Sequence, residues 1–315
     1  MGVCIISVKE IRRGGAAQAI NGVLNLNKPA GKSSHDMVYF TRRLYNIKKV
    51  GHTGTLDPEA TGVLPMLLGS ATKLSDLLLN HDKEYRAVLR LGVSTDTMDA
   101  TGKILRTCGS LPGLEQVRAA CAGFAGEIMQ TPPMYSAIKV NGRKLYEYAR
   151  ANISLELQPR RVNIYKLTCG QGEVAGEYIL DIKCSKGTYI RSLCHDIGEK
   201  LGCGGIMAGL CRTASGMFGI AQACAPEYLQ GLKEPESALI SCEDVLSRFT
   251  DKKIKLDAFY SRLAKNGAEI YLQKLGLHFD AGERILMYDD NNILFAFGEV
   301  KSFAGGAACK PQIFI

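Results

Sequence analysis

Two segments of this sequence alternate apolar and polar side chains, and this alternation constrains the fold more than any other feature. Glu84–Val93 places Tyr85 and a series of alanine and leucine side chains on one face and two arginines on the other. Tyr178–Cys184 repeats the pattern. A period of two residues fits a strand that buries one face. The sequence therefore predicts half-buried strands in two distant parts of the chain.

The second strand segment leads through the turn Ser185–Gly187 into a stretch with a different period. In Ile190–Leu201 the apolar residues share one helical face, and Gly202 is placed to end the helix. Strands and helices follow one another without a regular βαβ repeat. This order predicts a mixed α+β domain over residues 21–245.

The N-terminal part of this domain begins with a short strand pattern at Gly22–Asn27. Ser33 and Asp36 then fit a capping box, and apolar residues at helical spacing predict a helix that extends to Ile47 and a basic tail. Residues 1–20 have no clear period and are rich in glycine and alanine. We interpret them as a flexible extension or a misassigned start.

The C-terminal part of the chain differs in character from about residue 250 onward. Arg284–Tyr288 and Ile293–Phe297 are short strand patterns on either side of Asp289–Asn292, whose residue types favour a tight turn. A hairpin at this place predicts a small β-rich second domain over residues 250–315.

The composition narrows the class of protein. No apolar run approaches the roughly 18 residues that a membrane span requires, and the first residues lack the basic-then-apolar order of a secretory signal. We therefore expect a cytoplasmic protein with no membrane contact. The 39 Lys and Arg against 31 Asp and Glu give a net charge of +8, which attracts polyanions without identifying one.

The cysteines and histidines indicate no metal site. The 11 cysteines include no C-x-x-C pair, and the 5 histidines have no metal-ligand spacing. We expect free thiols in a reducing compartment.

The stretch Gly51–Gly62 is too rich in turn-forming residues for regular structure and leads directly into the apolar run Val63–Leu68. We interpret it as an ordered loop beside a core element, in which Leu56 anchors the chain and presents Asp57 from a rigid base. Taken alone, an Asp-Pro turn whose carboxylate bonds local N–H groups is the more common arrangement. His52 is likewise more common as a hydrogen-bonded loop histidine.

Two further segments, Lys83–Arg86 and Lys186–Arg191, each combine a tyrosine with an arginine. Such a combination can stack on a base and hold a phosphate or carboxylate. Taken separately, Tyr85 is more common as a core aromatic and Arg191 as a solvated charge. Four basic pairs are by default surface charge, although together they could follow a nucleic-acid backbone: Arg42–Arg43, Lys48–Lys49, Arg143–Lys144 and Arg160–Arg161.

Taken together, these segments resemble the TruB family of bacterial tRNA pseudouridine synthases, which modify uridine 55 in the T loop. The matches stand in family order and cover most of residues 21–218. They are Asn25–Gly31, Ser34–Asp36, Gly51–Pro58, Thr61–Pro65, Ala71–Lys73, Lys83–Arg86, Pro132–Ala137, Cys184–Leu193 and Leu201–Gly204. The chain departs from the family at Leu210–Gly216, where two usual basic residues are replaced by Cys211 and Ala214.

The resemblance implies a set of site residues. Asp57 would be the catalytic aspartate, Arg191 would pair with it and keep it ionised, and Tyr85 would stack on the target base. His52 would lie in the space vacated by the flipped-out uridine, and Tyr189 and Leu210 would line the base pocket.

The resemblance also implies an architecture and a mode of action. It implies a mostly antiparallel sheet flanked by helices, a mobile thumb at residues 131–152 that closes on the RNA, and a PUA-like RNA-binding domain over residues 250–315. We expect a monomer that acts on the T stem-loop of tRNA with no metal, no organic cofactor and no obligatory protein partner. Two alternatives stay open: a guide-RNA-dependent, dyskerin-type enzyme, and a tRNA-binding or tRNA-folding protein on the same scaffold.

Overall fold

The computed structural model describes residues 20–136, 138–151, 153 and 155–315, so nearly all of the predicted extension lies outside the described residues. In the described residues the strands are β1 Gly22–Lys28, β2 Val50–His52, β3 Thr61–Leu68, β4 Lys83–Leu91, β5 Val93–Thr95, β6 Ile104–Thr107, β7 Gly126–Gln130, β8 Lys139–Val140, β9 Arg143–Lys144, β10 Arg160–Gln171, β11 Glu177–Cys184, β12 Gly205–Ser215, β13 Phe218–Gly219, β14 Lys253–Lys255, β15 Ile270–Tyr271, β16 Arg284–Tyr288, β17 Leu294–Phe303 and β18 Gly306–Phe314. The α-helices are α1 Ser34–Leu44, α2 Ser75–Leu79, α3 Leu114–Ala122, α4 Leu145–Arg150, α5 Ile190–Lys200, α6 Pro226–Gly231, α7 Cys242–Leu246 and α8 Ala258–Lys265.

A nine-stranded sheet forms the larger part of the described structure, with the order β1-β3-β12-β4-β11-β10-β7 and with β2 and β13 paired to β3 and β12. Its pairings are antiparallel except that of β3 with β12. The predicted α+β class with a mostly antiparallel sheet and flanking helices is therefore confirmed. The two alternating segments of the sequence are β4 and β11, which pair directly with each other.

The helices cover the sheet through separate apolar clusters. Leu193 and Ile197 of α5 are fully buried against Leu89 of β4 and Leu180 of β11, and α3 packs in the same cluster. A second cluster joins α1 to β1 and β3. Burying each such leucine or isoleucine side chain contributes about 1.5–3 kcal/mol, so these contacts fix both helices relative to the strands.

The capping box predicted for α1 is confirmed. The Ser33 side chain accepts a hydrogen bond from the Asp36 N–H, and the Asp36 carboxylate accepts one from the Ser33 N–H. The predicted extent of this helix was too long, because α1 ends at Leu44. Asn46 has φ of +48°, a left-handed conformation that an α-helix cannot continue through, and Ile47 packs against the core from outside the helix.

The prediction that Gly51–Gly62 is irregular throughout was wrong at both ends. Residues up to His52 form β2, and β3 begins at Thr61. Gly62 has φ of +102°, and a Cβ atom there would overlap the main chain of Arg212 on β12. Gly62 therefore stands within a strand because a glycine permits the close approach of β3 to β12. The turn propensity of glycine does not predict this role.

The C-terminal residues form a five-stranded sheet in the order β14-β16-β17-β18-β15. The predicted hairpin is confirmed as β16 and β17, although β17 begins at Leu294 and continues to Phe303. Leu286 and Phe297 of this sheet share an apolar cluster with Val23 and Val63 of the larger one. The division into domains at residues 245–250 stays a prediction.

The cysteines of the described residues are all free, and most of them are buried. None of the helices in this part of the chain has the length and apolar content that a bilayer crossing requires.

The close approach at Gly62 predicts a large loss of stability on substitution. Gly62→Ala should lower the free energy of unfolding by at least about 3 kcal/mol, because a strained φ adds to the overlap with Arg212. The matched control is Gly202→Ala, where φ is +74° but no atom lies within 4 Å of the added Cβ, so only the conformational cost of about 1–2 kcal/mol applies. Urea denaturation of both variants measures the difference, and equal losses would contradict the overlap.

Candidate active site

The loop between β2 and β3 carries Asp57, and contacts on either side of that residue hold it in place. Leu56 is buried, its N–H donates to the Ser34 hydroxyl (2.9 Å), and that hydroxyl donates to the Leu56 carbonyl (3.1 Å). The Ala60 N–H donates to the Asp57 carbonyl (3.1 Å). Asp57 therefore sits on a loop whose main-chain conformation is fixed by hydrogen bonds and by a core anchor.

Lys28, at the end of β1, is fully buried beneath this loop. Its ammonium donates to the carbonyls of Pro58 (2.8 Å), Pro29 (2.8 Å) and Lys32 (2.5 Å). Burial lowers the pKa of Lys28 to about 8, while Glu59 and Asp57 act in the opposite direction. The three carbonyls are the acceptors that a buried ammonium needs, and one of them belongs to the residue next to Asp57.

Two nitrogens of the Arg191 guanidinium contact the Asp57 carboxylate. Its Nε lies 3.0 Å from Oδ2, and its Nη2 donates to Oδ1 at 3.1 Å. Arg191 lies in the first turn of α5 and its side chain is only 6% exposed, whereas the Asp57 side chain is 35% exposed. The fork geometry of a guanidinium aims a carboxylate as well as pairing its charge. The interpretation of Arg191 as a solvated charge on the helix is therefore wrong.

Asp99 is a second carboxylate near the same guanidinium. Its Oδ2 lies 3.8 Å from Arg191 Nη1, and its Oδ1 accepts hydrogen bonds from the Thr97 and Thr101 hydroxyls and from the Thr101 N–H. Two carboxylates thus face one guanidinium. Asp99 stands in the connection between β5 and β6, in none of the segments on which the family resemblance was based.

These neighbours act on the pKa of Asp57 in opposite directions. Burial raises the pKa above its usual value of 3.8, Arg191 lowers it, and Asp99 raises it, with burial the largest effect. The ion pair offsets part of the desolvation of the carboxylate and does not outweigh it. The expected stabilisation of the ionised form by Arg191 is therefore present, but the net shift is upward.

Asp57 lines one side of a cavity of about 440 Å³. Leu210 on β12 lines it as well, together with residues 207–209 of the same strand and with Asp99. A cavity of this size can accommodate a small planar ring. Two of the predicted site residues, Asp57 and Leu210, are therefore brought to one cavity.

Tyr85 lies on β4 opposite Arg212 of β12 and next to Ile182 of β11. It is half-buried and packs where the clusters of α5 and of α1 meet, as Leu210 does. Burial raises the pKa of Tyr85, and Arg212 opposes that shift. The ring therefore packs between the two clusters while part of its surface remains accessible.

His52 and Tyr189 complete the predicted set. His52 ends β2 and is half-buried, and burial together with the nearby Arg212 lowers its pKa, which favours the neutral imidazole. Tyr189 precedes α5, and its N–H and C=O bond the two ends of the buried Gln130 side-chain amide at 2.8 and 3.0 Å. Gln130 thus fixes the entry into the helix that carries Arg191.

The predicted thumb contains the β8–β9 ribbon and α4, and its residues 137 and 152 lie outside the described residues. Arg143 lies over the Tyr148 ring (4.9 Å to the centroid) and Arg150 over the Tyr146 ring (5.3 Å). The Tyr135 carbonyl accepts a hydrogen bond from Arg191 Nη2 at 2.8 Å. The thumb is therefore joined to the Asp57 site through the same guanidinium that holds the carboxylate.

A wider and more open cavity of about 710 Å³ lies along α1. Its lining includes the basic side chains Lys32, Arg42, Arg43 and Lys48. No group of three or more His, Cys, Asp or Glu within the described ranges is arranged to hold a metal ion.

Sequence reasoning did not single out four residues that shape the site: Lys28, Ser34, Asp99 and Arg212. Lys28 and Ser34 lie inside segments that resemble the family, but nothing in their spacing shows that both contact the Asp57 loop. Arg212 lies in the segment that departs from the family, and its side chain is buried (1% exposed). Only the pairing of β12 with β3 and β4 reveals its position.

Comparison with known proteins assigns the chain to a family. Residues 42–190 match the TruB family pseudouridylate synthase N-terminal domain, and residues 191–242 match the tRNA pseudouridylate synthase B C-terminal domain. Among relatives, the tRNA pseudouridine synthase B of Alkaliphilus oremlandii is 44% identical over 90% of this chain and 94% of its own length. That of Clostridium tetani is 42% identical over 87% and 94%.

Solved structures agree at the level of the fold. The chain in a Cbf5-Nop10-Gar1 complex is 26% identical with a TM-score of 0.65, over 93% of this chain and 84% of that one. A chain of an H/ACA RNP bound to a substrate RNA containing 2'-deoxyuridine gives the same TM-score and coverage at 24% identity. On the evidence of the sequence relatives, the chain belongs to the TruB family of pseudouridylate synthases.

Proposed function

We propose that this protein converts uridine 55 in the T loop of tRNA to pseudouridine and that it does so as a single chain, with Asp57 as its nucleophile. The observation that carries the proposal is the Asp57 carboxylate, held by two nitrogens of Arg191 at the edge of a cavity that Leu210 also lines. A positioned carboxylate beside a base-sized cavity is what the isomerisation of a nucleoside requires.

The reaction breaks the bond from C1' of the ribose to N1 of uracil and forms a bond from C1' to C5. A proton leaves C5 and N1 gains one, so the product is an isomer of the substrate and no co-reactant is consumed. Asp57 attacks either the sugar carbon or the uracil ring, and both routes assign the same residue to the same place. Arg191 keeps the carboxylate aimed at the base.

The target uridine has to leave its stack before Asp57 can reach it. Unstacking the uridine costs a few kcal/mol, and stacking of the flipped base on an aromatic ring stabilises it by about 1–3 kcal/mol. We assign that ring to Tyr85, because it lies half-buried on β4 beside Leu210. Tyr189 lines the pocket from the start of α5, and His52 occupies the space that the flipped uridine leaves.

The choice of free tRNA as substrate is supported by the relatives. Identity is 42–44% to proteins named tRNA pseudouridine synthase B and 26% to the chain in the Cbf5-Nop10-Gar1 complex. The basic lining of the cavity along α1 and the net charge of +8 supply attraction for a polyanion.

Incubation of the purified chain with an unmodified tRNA transcript should yield pseudouridine in the T loop. Asp57→Asn should reduce the single-turnover rate by roughly 10⁴-fold or more while tRNA affinity changes little, because the amide cannot act as the nucleophile. Pseudouridine mapping and filter binding measure the two quantities. Asp181→Asn, in an exposed pair with Arg86, is the control and should behave as wild type.

Three results would contradict parts of this proposal. Absence of T-loop product with the wild-type chain would reject the activity on free tRNA, and product only after a guide RNA and further proteins are added would favour a dyskerin-type enzyme. Full tRNA-dependent function of Asp57→Asn in cells would make tRNA folding the main role.

The raised pKa of Asp57 predicts an acidic limb in the pH dependence of kcat/KM. Because the ionised carboxylate is the active form, activity should fall as the pH drops through a value above 3.8, the usual pKa of an aspartate. Asp99→Asn removes a negative charge that raises this pKa, so its limb should move to lower pH, whatever its effect on the rate. Glu177→Gln, whose partner Arg90 lies at the far end of β4, is the control. A limb that moves to higher pH in Asp99→Asn would contradict the assignment.

A further inference from the structure

Arg212 is a buried cation with no carboxylate partner in the described part of the chain. Its side chain is 1% exposed, and its guanidinium donates to two main-chain oxygens, with Nε 2.7 Å from the Val63 carbonyl and Nη2 3.1 Å from the Gly54 carbonyl. A buried charge is costly unless polar groups satisfy it, and carbonyl oxygens do so here. The arrangement therefore depends on these two acceptors.

The two acceptors lie on either side of Asp57 in sequence. Gly54 precedes it in the loop, and Val63 follows it in β3. One planar guanidinium thus connects the beginning of the loop to the strand in which it ends. Lys28 and Ser34 hold the middle of the loop, and Arg212 adds a side-chain link between its two ends to the main-chain pairing of β2 with β3.

Arg212 is also the cross-strand partner of Tyr85. The register of β12 with β4 places the two residues opposite each other, and Arg212 opposes the rise that burial causes in the pKa of Tyr85. Side chains of directly opposite residues lie on the same face of a sheet. The nucleophile's loop and the tyrosine that we assign to base stacking therefore share one rigid support.

The approach of the strands makes this contact possible. Gly62 of β3 lies beside Arg212 in the parallel pairing, where a side chain would overlap the Arg212 main chain. At Gly54, where φ is +96°, an added Cβ atom would lie 3.6 Å from Arg212 Nη1. Both glycines bring main-chain oxygens within reach of the guanidinium.

We propose that Arg212 is a positioning residue, which holds the Asp57 loop at a set distance from Tyr85 so that a base stacked on the tyrosine meets the carboxylate. The proposal rests on the function proposed above. It concerns the placement of the loop, because the hydrogen bonds of the Arg212 guanidinium go to the main-chain carbonyls of Gly54 and Val63.

The experiment compares wild type, Arg212→Met and Arg212→Lys with an unmodified T-arm hairpin RNA. Misplacement of reacting groups by about 1 Å costs on the order of 100-fold in rate, so Arg212→Met should lose about that much in single-turnover rate while RNA affinity stays within about threefold. Arg212→Lys should regain only part of the rate, because a single ammonium cannot replace both the Nε and the Nη2 bond to the two carbonyls. In Arg212→Lys, which keeps the positive charge, the acidic limb of the pH profile should stay in place, unlike that of Asp99→Asn.

A loss of stability has to be separated from a loss of positioning. Rates are therefore normalised to the folded fraction from thermal unfolding, and Arg90→Met, which removes an arginine paired with Glu177 on the same strand as Tyr85, is the control with wild-type rate. If Arg212→Met does not fold, Arg212→Lys decides. A wild-type rate in Arg212→Lys, or a loss only in proportion to the unfolded fraction, would overturn the proposal.

Amide hydrogen exchange supplies a readout that does not require activity. Arg212→Lys should increase exchange in the Gly54–Val63 segment by at least about tenfold, which corresponds to about 1.4 kcal/mol less protection, while β16 and β17 exchange as in wild type. Unchanged exchange in the loop would overturn the proposal. An inactive wild-type chain would reject the proposed function, and the exchange result would still show whether Arg212 holds the loop.

Discussion

β12 pairs in parallel with β3 on one side and antiparallel with β4 on the other, and the candidate site depends on this insertion. β3 directly follows the Asp57 loop, β4 carries Tyr85, and β12 itself carries Leu210 and Arg212. Without β12 between β3 and β4, no shared strand would fix the position of the loop relative to the tyrosine. The glycine at position 62 is what allows the two parallel strands to approach closely enough.

On this scaffold the electrostatics of Asp57 are a balance between burial and pairing. Burial favours the neutral acid and the Arg191 guanidinium favours the carboxylate, while Asp99 competes for the same guanidinium. A carboxylate more exposed to water would need no partner, and deeper burial would raise its pKa further. The Asp57 carboxylate is 35% exposed and has a bidentate partner, so it lies between these two cases. This intermediate exposure suits a residue that has to react with an incoming base.

Local features of the sequence predict local structure well in this protein. The alternation in β4 and β11, the capping box of α1, the helix after Tyr189 and the β16–β17 hairpin all follow from residue spacing. Features that depend on distant strands do not. Arg191 looks like a solvated helix residue until its partner is known, and Gly62 looks like a turn former because the strand beside it is about 150 residues away in sequence. No pattern in the sequence around Asp99 predicts its place in the site.

The hydrogen bond from Arg191 Nη2 to the Tyr135 carbonyl has a thermodynamic consequence. The Tyr135 carbonyl and the Asp57 carboxylate share one donor group, so the free energies of the Tyr135 contact and of Asp57 ionisation are linked, and linkage is reciprocal. Any RNA that draws Tyr135 away from Arg191 changes the proton affinity of Asp57. By the same coupling, the protonation state of Asp57 changes the strength of the contact between Arg191 and the Tyr135 carbonyl.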